Sequence, residues 1–105
     1  MSDLGELQKR AMAIRQRYQE VNDQNGFDRW NGLDYTAGFV GDVGDLMKLV
    51  MAMENKRSGE NTDAKLRHEL GDCLWSLLII AEHYGIDLEK AFQDTMLELD
   101  ERLAA

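Results

Sequence analysis

The chain has 105 residues and a mass of 12.0 kDa, room for one domain and one core. A hydrophobic fraction of 44% with 30% charged residues describes an ordinary globular chain, and no apolar run approaches the ~20 residues that span a bilayer. Twenty acidic against twelve basic residues give a net charge of −8, which excludes duplex nucleic acid and anionic membranes as general partners, because both need clustered Lys and Arg.

The chain holds no proline and no alternating β pattern, so an all-α domain over residues 1–105 is expected. The first helix is predicted from about Asp3 to Asn22, with Asp3 as cap and a narrow apolar stripe of Leu4, Leu7, Ala11, Ile14, Tyr18 and Val21. Asn25-Gly26 ends it. The loop from Gly26 to Tyr35 carries Phe27, Trp30 and Tyr35. Large aromatics in a polar loop either tuck into the core or line a site, and tucking is the default.

A second helix is predicted over about Asp34–Lys56, with Phe39, Val43, Leu46, Val50 and Met53 as its core face and Arg57-Ser58-Gly59 closing it. The third spans about Thr62–Tyr84, with Thr62 as N-cap and Gly85 as stop; the fourth spans Asp87–Leu103, capped by Asp87. Short connections favour antiparallel neighbours in a four-helix bundle-like domain. The stretch Cys73–Ala81 is apolar almost all round, and a chain this small gains by oligomerising through such helices. Cys73 cannot form an internal disulfide, and the N-terminus lacks the basic-then-apolar pattern of a signal peptide, so a reducing cytoplasm is the expected location.

Chemistry concentrates on the two inner helices. Asp42 and Asp45 on the second, and Glu69 and Asp72 on the third, are each spaced i, i+3 and so share a helix face. At roughly 100° per residue, Asp42 lies at the edge of the apolar stripe and Asp45 further out, while Glu69 falls near Cys73 and Ile80, and Asp72 near Ser76 and Ile79. Carboxylates entering apolar surfaces need partners. If the faces meet, four anions converge, and hard divalent cations, Mg²⁺ first and Mn²⁺ next, suit an all-oxygen set. From these residues alone a metal cluster and a solvated acidic face both remain open.

The segments Gly41-Asp-Val-Gly-Asp-Leu46 and Arg67-His-Glu-Leu-Gly-Asp-Cys-Leu-Trp75 resemble those of MazG-like all-α nucleoside triphosphate pyrophosphohydrolases, whose ExxE and ExxD motifs lie on successive helices of a homodimer or homotetramer. Glu69 and Asp72 match the second motif; Asp42 and Asp45 match the first with Asp for Glu; Ala81 to Ala91 resembles the turn into the last helix. The resemblance covers about Trp30 to Leu103. It implies Mg²⁺-dependent hydrolysis of a ribo- or deoxyribonucleoside triphosphate to monophosphate and pyrophosphate, in a nucleotide-housecleaning role. It makes Asp42, Asp45, Glu69 and Asp72 the metal and catalytic set and puts Trp30 near the nucleotide pocket; Arg102 on the last helix, and Lys48 in place of the family's other phosphate ligands, are the candidate cations for the phosphates.

Two departures stand out. Asp is a methylene shorter than Glu, and Gly38, Gly41 and Gly44 would let the helices approach. The last helix, Gln93 to Arg102, is acidic where the family carries basic or amide phosphate ligands; Arg102 alone is basic there. The competing reading is a non-catalytic, oligomeric helical module with a vestigial metal site. A di-iron bundle is excluded, since no Glu is followed by His three residues on.

Overall fold

A computed structural model describes residues 3–55 and 61–104. Four helices and no strand occur among the described residues: α1 (Leu4–Gln24), α2 (Gly32–Glu54), α3 (Thr62–His83) and α4 (Leu88–Ala104). None is long and apolar enough to cross a membrane.

Local signals set the helix ends. Asp3 Oδ1 accepts the Glu6 N–H at 2.9 Å and starts α1; Asn25 closes it, and Gly26 follows at φ 74°. At the head of α2 the Asn31-Gly32 pair, a turn signal in sequence, is a full capping box. Asn31 Oδ1 accepts the Asp34 N–H (3.0 Å) and Asp34 Oδ2 accepts the Asn31 N–H (2.9 Å). Asn31→Ala should therefore cost about 1 kcal/mol and lower Tm by about 4–8 °C; a thermal melt unchanged by the substitution would show that the box contributes nothing. The predicted closing signal Arg57-Ser58-Gly59 lies outside the described residues.

Thr62 is not the N-cap of α3. Asn61 holds that position at φ 65° without a side-chain cap bond, and Thr62 is the first helical residue, buried. At the other end Gly85 (φ 66°) stops α3 in a Schellman turn, with Ile86 N–H donating to Ala81 O at 2.8 Å. Asp87 Oδ1 then caps α4 through the Lys90 N–H at 3.1 Å.

The core is centred on α3. Cys73, Leu78, Ile79 and Ala81 are buried, joined by Ala11 of α1 and the polar Ser76. The α2–α3 hairpin forms most of the packing, and α1 crosses α3. Side-chain ties fix that crossing: Trp75 Nε1 donates to Ala11 O (3.2 Å), and Gln8 Nε2 donates to Leu78 O (3.0 Å) and Glu82 Oε2 (3.1 Å).

Three packing expectations need correction. On α2, Phe39 and Leu46 are half-buried together with Asp42 and Leu49, whereas Val43, Val50 and Met53 stay exposed. The face toward α3 is therefore rotated toward the acid. On α1, Leu4, Ala11 and Ile14 of the expected stripe are buried or half-buried, whereas Leu7, Tyr18 and Val21 are exposed, and Gln8, Met12, Arg15, Gln19 and Asn22 are half-buried instead. The helix turns a mixed apolar and polar side inward. Finally, a methyl group on Gly41 or Gly44 would meet nothing within 4 Å, so these glycines serve no close helix approach within the protomer.

The helix α4 has no buried residue; Phe92, Leu97 and Leu103 stand exposed on it. The radius of gyration of 16.7 Å exceeds the ~13 Å of a compact chain this long.

Candidate functional site

The α2–α3 pairing brings three of the four predicted acids together. One carboxylate oxygen from each of Asp42, Glu69 and Asp72 lies within 4.8 Å of the others, and all three residues are half-buried. Asp45 is outside this triplet and exposed, one turn along α2.

Each acid is held differently. Ser76 Oγ, buried in α3, donates to Asp42 Oδ2 at 3.1 Å. His68 Nε2 lies 3.2 Å from Asp72 Oδ2. Glu69 Oε1 is buried with no hydrogen-bond partner. Loss of solvent pushes the Glu69 carboxyl above its usual range, and the charges of Asp42, Asp72 and Asp45 push it the same way; His68 opposes them. The neighbouring Cys73 thiol is also pushed up, first by burial and then by the charges of Asp42, Glu69 and Asp72. Its buried place matches the sequence expectation of a small core residue.

An orphaned, desolvated carboxylate oxygen beside two further carboxylates lacks a cation. The donor set is all oxygen, which suits a hard divalent ion of the Mg²⁺ or Mn²⁺ type. Lysine or arginine does not fill this role among the described residues, since the ion pairs of Arg29, Arg67 and Lys90 are with Asp23, Asp63 and Asp94, away from the triplet.

Two clefts share the acids between them. The first, about 480 Å³, has Asp42, Asp72, Ser76 and Ile79 on one wall and the rings of Tyr18, Trp30, Tyr35 and Trp75 around it, with Arg15, Gln19 and Asn22 from α1. The volume is that of a small-ligand pocket. The second, about 460 Å³ and shallower, is lined by Asp45 and Glu69 with Lys48, Lys65 and His68.

The predicted residues divide accordingly. Trp30 does not tuck into the core. It is half exposed, stacks at a tilt on Tyr35 (5.6 Å between centroids) and lines the first cleft; Tyr35 in turn meets His83 edge-on. Phe27 is exposed as well. Lys48 lines the second cleft, next to Asp45. Arg102 sits exposed on α4 and lines neither.

The residues not singled out in sequence are Ser76, Lys65 and the α1 trio. Ser76 had a signal: a lone hydroxyl in an apolar run, one turn after Asp72. The α1 residues had none, because a polar row beside an apolar stripe reads as the solvent side of the helix.

Residues 33–103 match the MazG nucleotide pyrophosphohydrolase domain. No curated protein and no solved structure gives a significant match. The matched segment begins at α2, so α1 lies outside it.

Proposed function

The chain belongs to the MazG nucleotide pyrophosphohydrolase domain family, and on that premise we propose that it hydrolyses a nucleoside triphosphate between the α- and β-phosphates, releasing a nucleoside monophosphate and pyrophosphate. The observation that carries this reading is the triplet of Asp42, Glu69 and Asp72, with an unpaired buried oxygen, whose acids line an aromatic cleft and a lysine-bearing cleft. In this reading the three acids hold Mg²⁺, or Mn²⁺ in its place, with Asp45 beside them. A bound divalent ion neutralises phosphate oxygens and acidifies water.

The chain's own groups then have separate tasks. Ser76 and His68 each hold one oxygen of Asp42 and Asp72, which orients the remaining oxygens. Trp30, Tyr35 and Trp75 offer ring faces to a base. Lys48 and Lys65 supply charge for the departing pyrophosphate, where negative charge grows in the transition state. A carboxylate not engaged as ligand accepts the proton of the attacking water.

The protomer is proposed to work as a homodimer or homotetramer. Its support is the open shape and the apolar side chains left uncovered on all four helices, among them Val21, Val40, Met47, Leu74 and Phe92.

The test is incubation of the protein with ribo- and deoxyribonucleoside triphosphates and Mg²⁺, with identification of the products. Monophosphate plus pyrophosphate is expected, and the rates across the panel rank the bases. Diphosphate plus phosphate contradicts the reading. Absence of turnover with either Mg²⁺ or Mn²⁺ favours the alternative, an oligomeric binding module, for which the uncovered apolar faces are the supporting observation.

A further inference from the structure

The inward side of α1 is mixed. Leu4, Ala11, Met12 and Ile14 are buried or half-buried, and beside them the polar Arg15, Gln19 and Asn22 are half-buried and line the first cleft together with Tyr18. Burial of apolar area does not account for the three polar residues. Gln8 accounts for its own placement through its bonds to Leu78 O and Glu82. Arg15 does not. Its Nε is buried without a partner, and among the described residues Arg15 makes no hydrogen bond or ion pair. A buried, unpaired donor on a charged group is costly and calls for a partner that completes it.

The missing partner is an anion. Trp75 reaches Ala11 with its indole N–H and Tyr18 with its ring (5.7 Å), so Arg15, between those two on α1, sits over the stretch of α3 that carries Asp72 and Ser76. Arg15 therefore shares one cleft with Asp42 and Asp72 but does not pair with either. A ligand lying between them faces metal-binding acids on one side and a guanidinium on the other. A phosphoryl group has that double character, and its oxygens match the planar donor fork. The last helix offers Lys90, paired with Asp94, and Arg102, and neither lines the cleft. The family match begins at residue 33 and assigns nothing to α1.

We propose that Arg15, presented by the inward side of α1, binds a phosphoryl oxygen of the nucleotide, a task that the cations of the last helix, lying outside the cleft, do not fill. This rests on the reading of the cleft as a nucleotide site.

The experiment measures binding of α,β-methylene analogues of several nucleoside triphosphates, and of inorganic tripolyphosphate, with Mg²⁺, by calorimetry. Wild type is compared with Arg15→Met, which keeps the apolar stem, and Arg15→Lys. Wild-type turnover is followed in parallel. Loss of one charge-assisted contact predicts binding weaker on the order of 10–100-fold in Arg15→Met, by the same factor for every base and for tripolyphosphate. Arg15→Lys should recover part of it. Arg15→Met binding like wild type overturns the proposal, as does a loss confined to one base, which would make Arg15 a base reader. Should Arg15→Met fail to fold, Arg15→Lys decides: unchanged tripolyphosphate affinity overturns the assignment, and a several-fold loss supports it. If wild type turns over while the Arg15 variants bind normally, this inference falls alone. If wild type binds in an Arg15-dependent way but does not turn over, the hydrolytic reading falls and Arg15 stands. If wild type binds none of the probes, both fall.

Discussion

Glu69→Gln should give a protein that melts higher than wild type without metal and has lost on the order of 10³-fold in kcat with Mg²⁺, the scale of several kcal/mol of lost charge stabilisation. The two effects share one cause. Glu69 Oε1 is buried and unpaired, and its carboxyl is pushed above its usual range by desolvation and then by Asp42, Asp72 and Asp45. A raised carboxyl pKa means that the folded state binds the proton more tightly than the unfolded chain. The resulting penalty is full above the folded pKa and disappears as pH falls below the unfolded value. Metal-free wild type should therefore gain stability as pH is lowered from neutral into the upper carboxylate range, and Glu69→Gln should lack that gain. Added Mg²⁺ should raise the Tm of wild type because it binds the native cluster, and should raise that of the variant far less. Thermal melts over pH and Mg²⁺, with product analysis, check both. A variant that hydrolyses nucleotide like wild type would remove Glu69 from the site.

The second large effect lies in the core. Ile79 is 2% exposed and is the largest fully buried side chain. Ile79→Ala should cost about 2–5 kcal/mol, out of the ~5–15 kcal/mol that holds a typical domain. Among the described residues only four other apolar side chains are buried, Ala11, Cys73, Leu78 and Ala81, so few neighbours can close around the cavity. Urea unfolding should show a midpoint far below wild type, while Ile79→Val should lose only about 0.5–1.5 kcal/mol. Because Ile79 also lines the aromatic cleft, a nucleotide analogue with Mg²⁺ should recover part of the lost midpoint. An Ile79→Ala midpoint equal to that of wild type would show that the α3 core does not bear the stability.

The helix count, most of the caps and the pairing of the acids on each helix face were legible in the residues, because i, i+3 spacing and end signals are local properties; that the two faces meet, and that Asp45 stays out of the triplet, depends on the packing of α2 on α3. The rotation of α1 and α2 about their own axes was not legible either. Both helices carry more than one face able to pack, and the choice depends on which long-range ties form, such as Trp75 to Ala11 and Ser76 to Asp42. The loop aromatics were misplaced for a related reason. A protomer whose apolar surface is mostly uncovered does not force every large ring inward, so Trp30 and Phe27 stay out. Asn31-Gly32 is a strong turn pair, and the acid three residues on turns the same asparagine into a helix cap.

The glycines of α2 have a consequence for how tightly the site can hold an ion. Gly41 and Gly44 flank Asp42, and each lowers helix propensity by about 1 kcal/mol relative to Ala, while nothing in the protomer packs against them. Helical order around Asp42 is thus sustained by docking on α3 rather than by the segment's own preference. A cation joining Asp42 to Glu69 and Asp72 would tie that stretch of backbone to α3. Part of its binding free energy would then go into keeping the turn wound, and its apparent affinity would scale with the population of the wound turn. Replacing either glycine by alanine would in that case tighten the grip without adding a ligand.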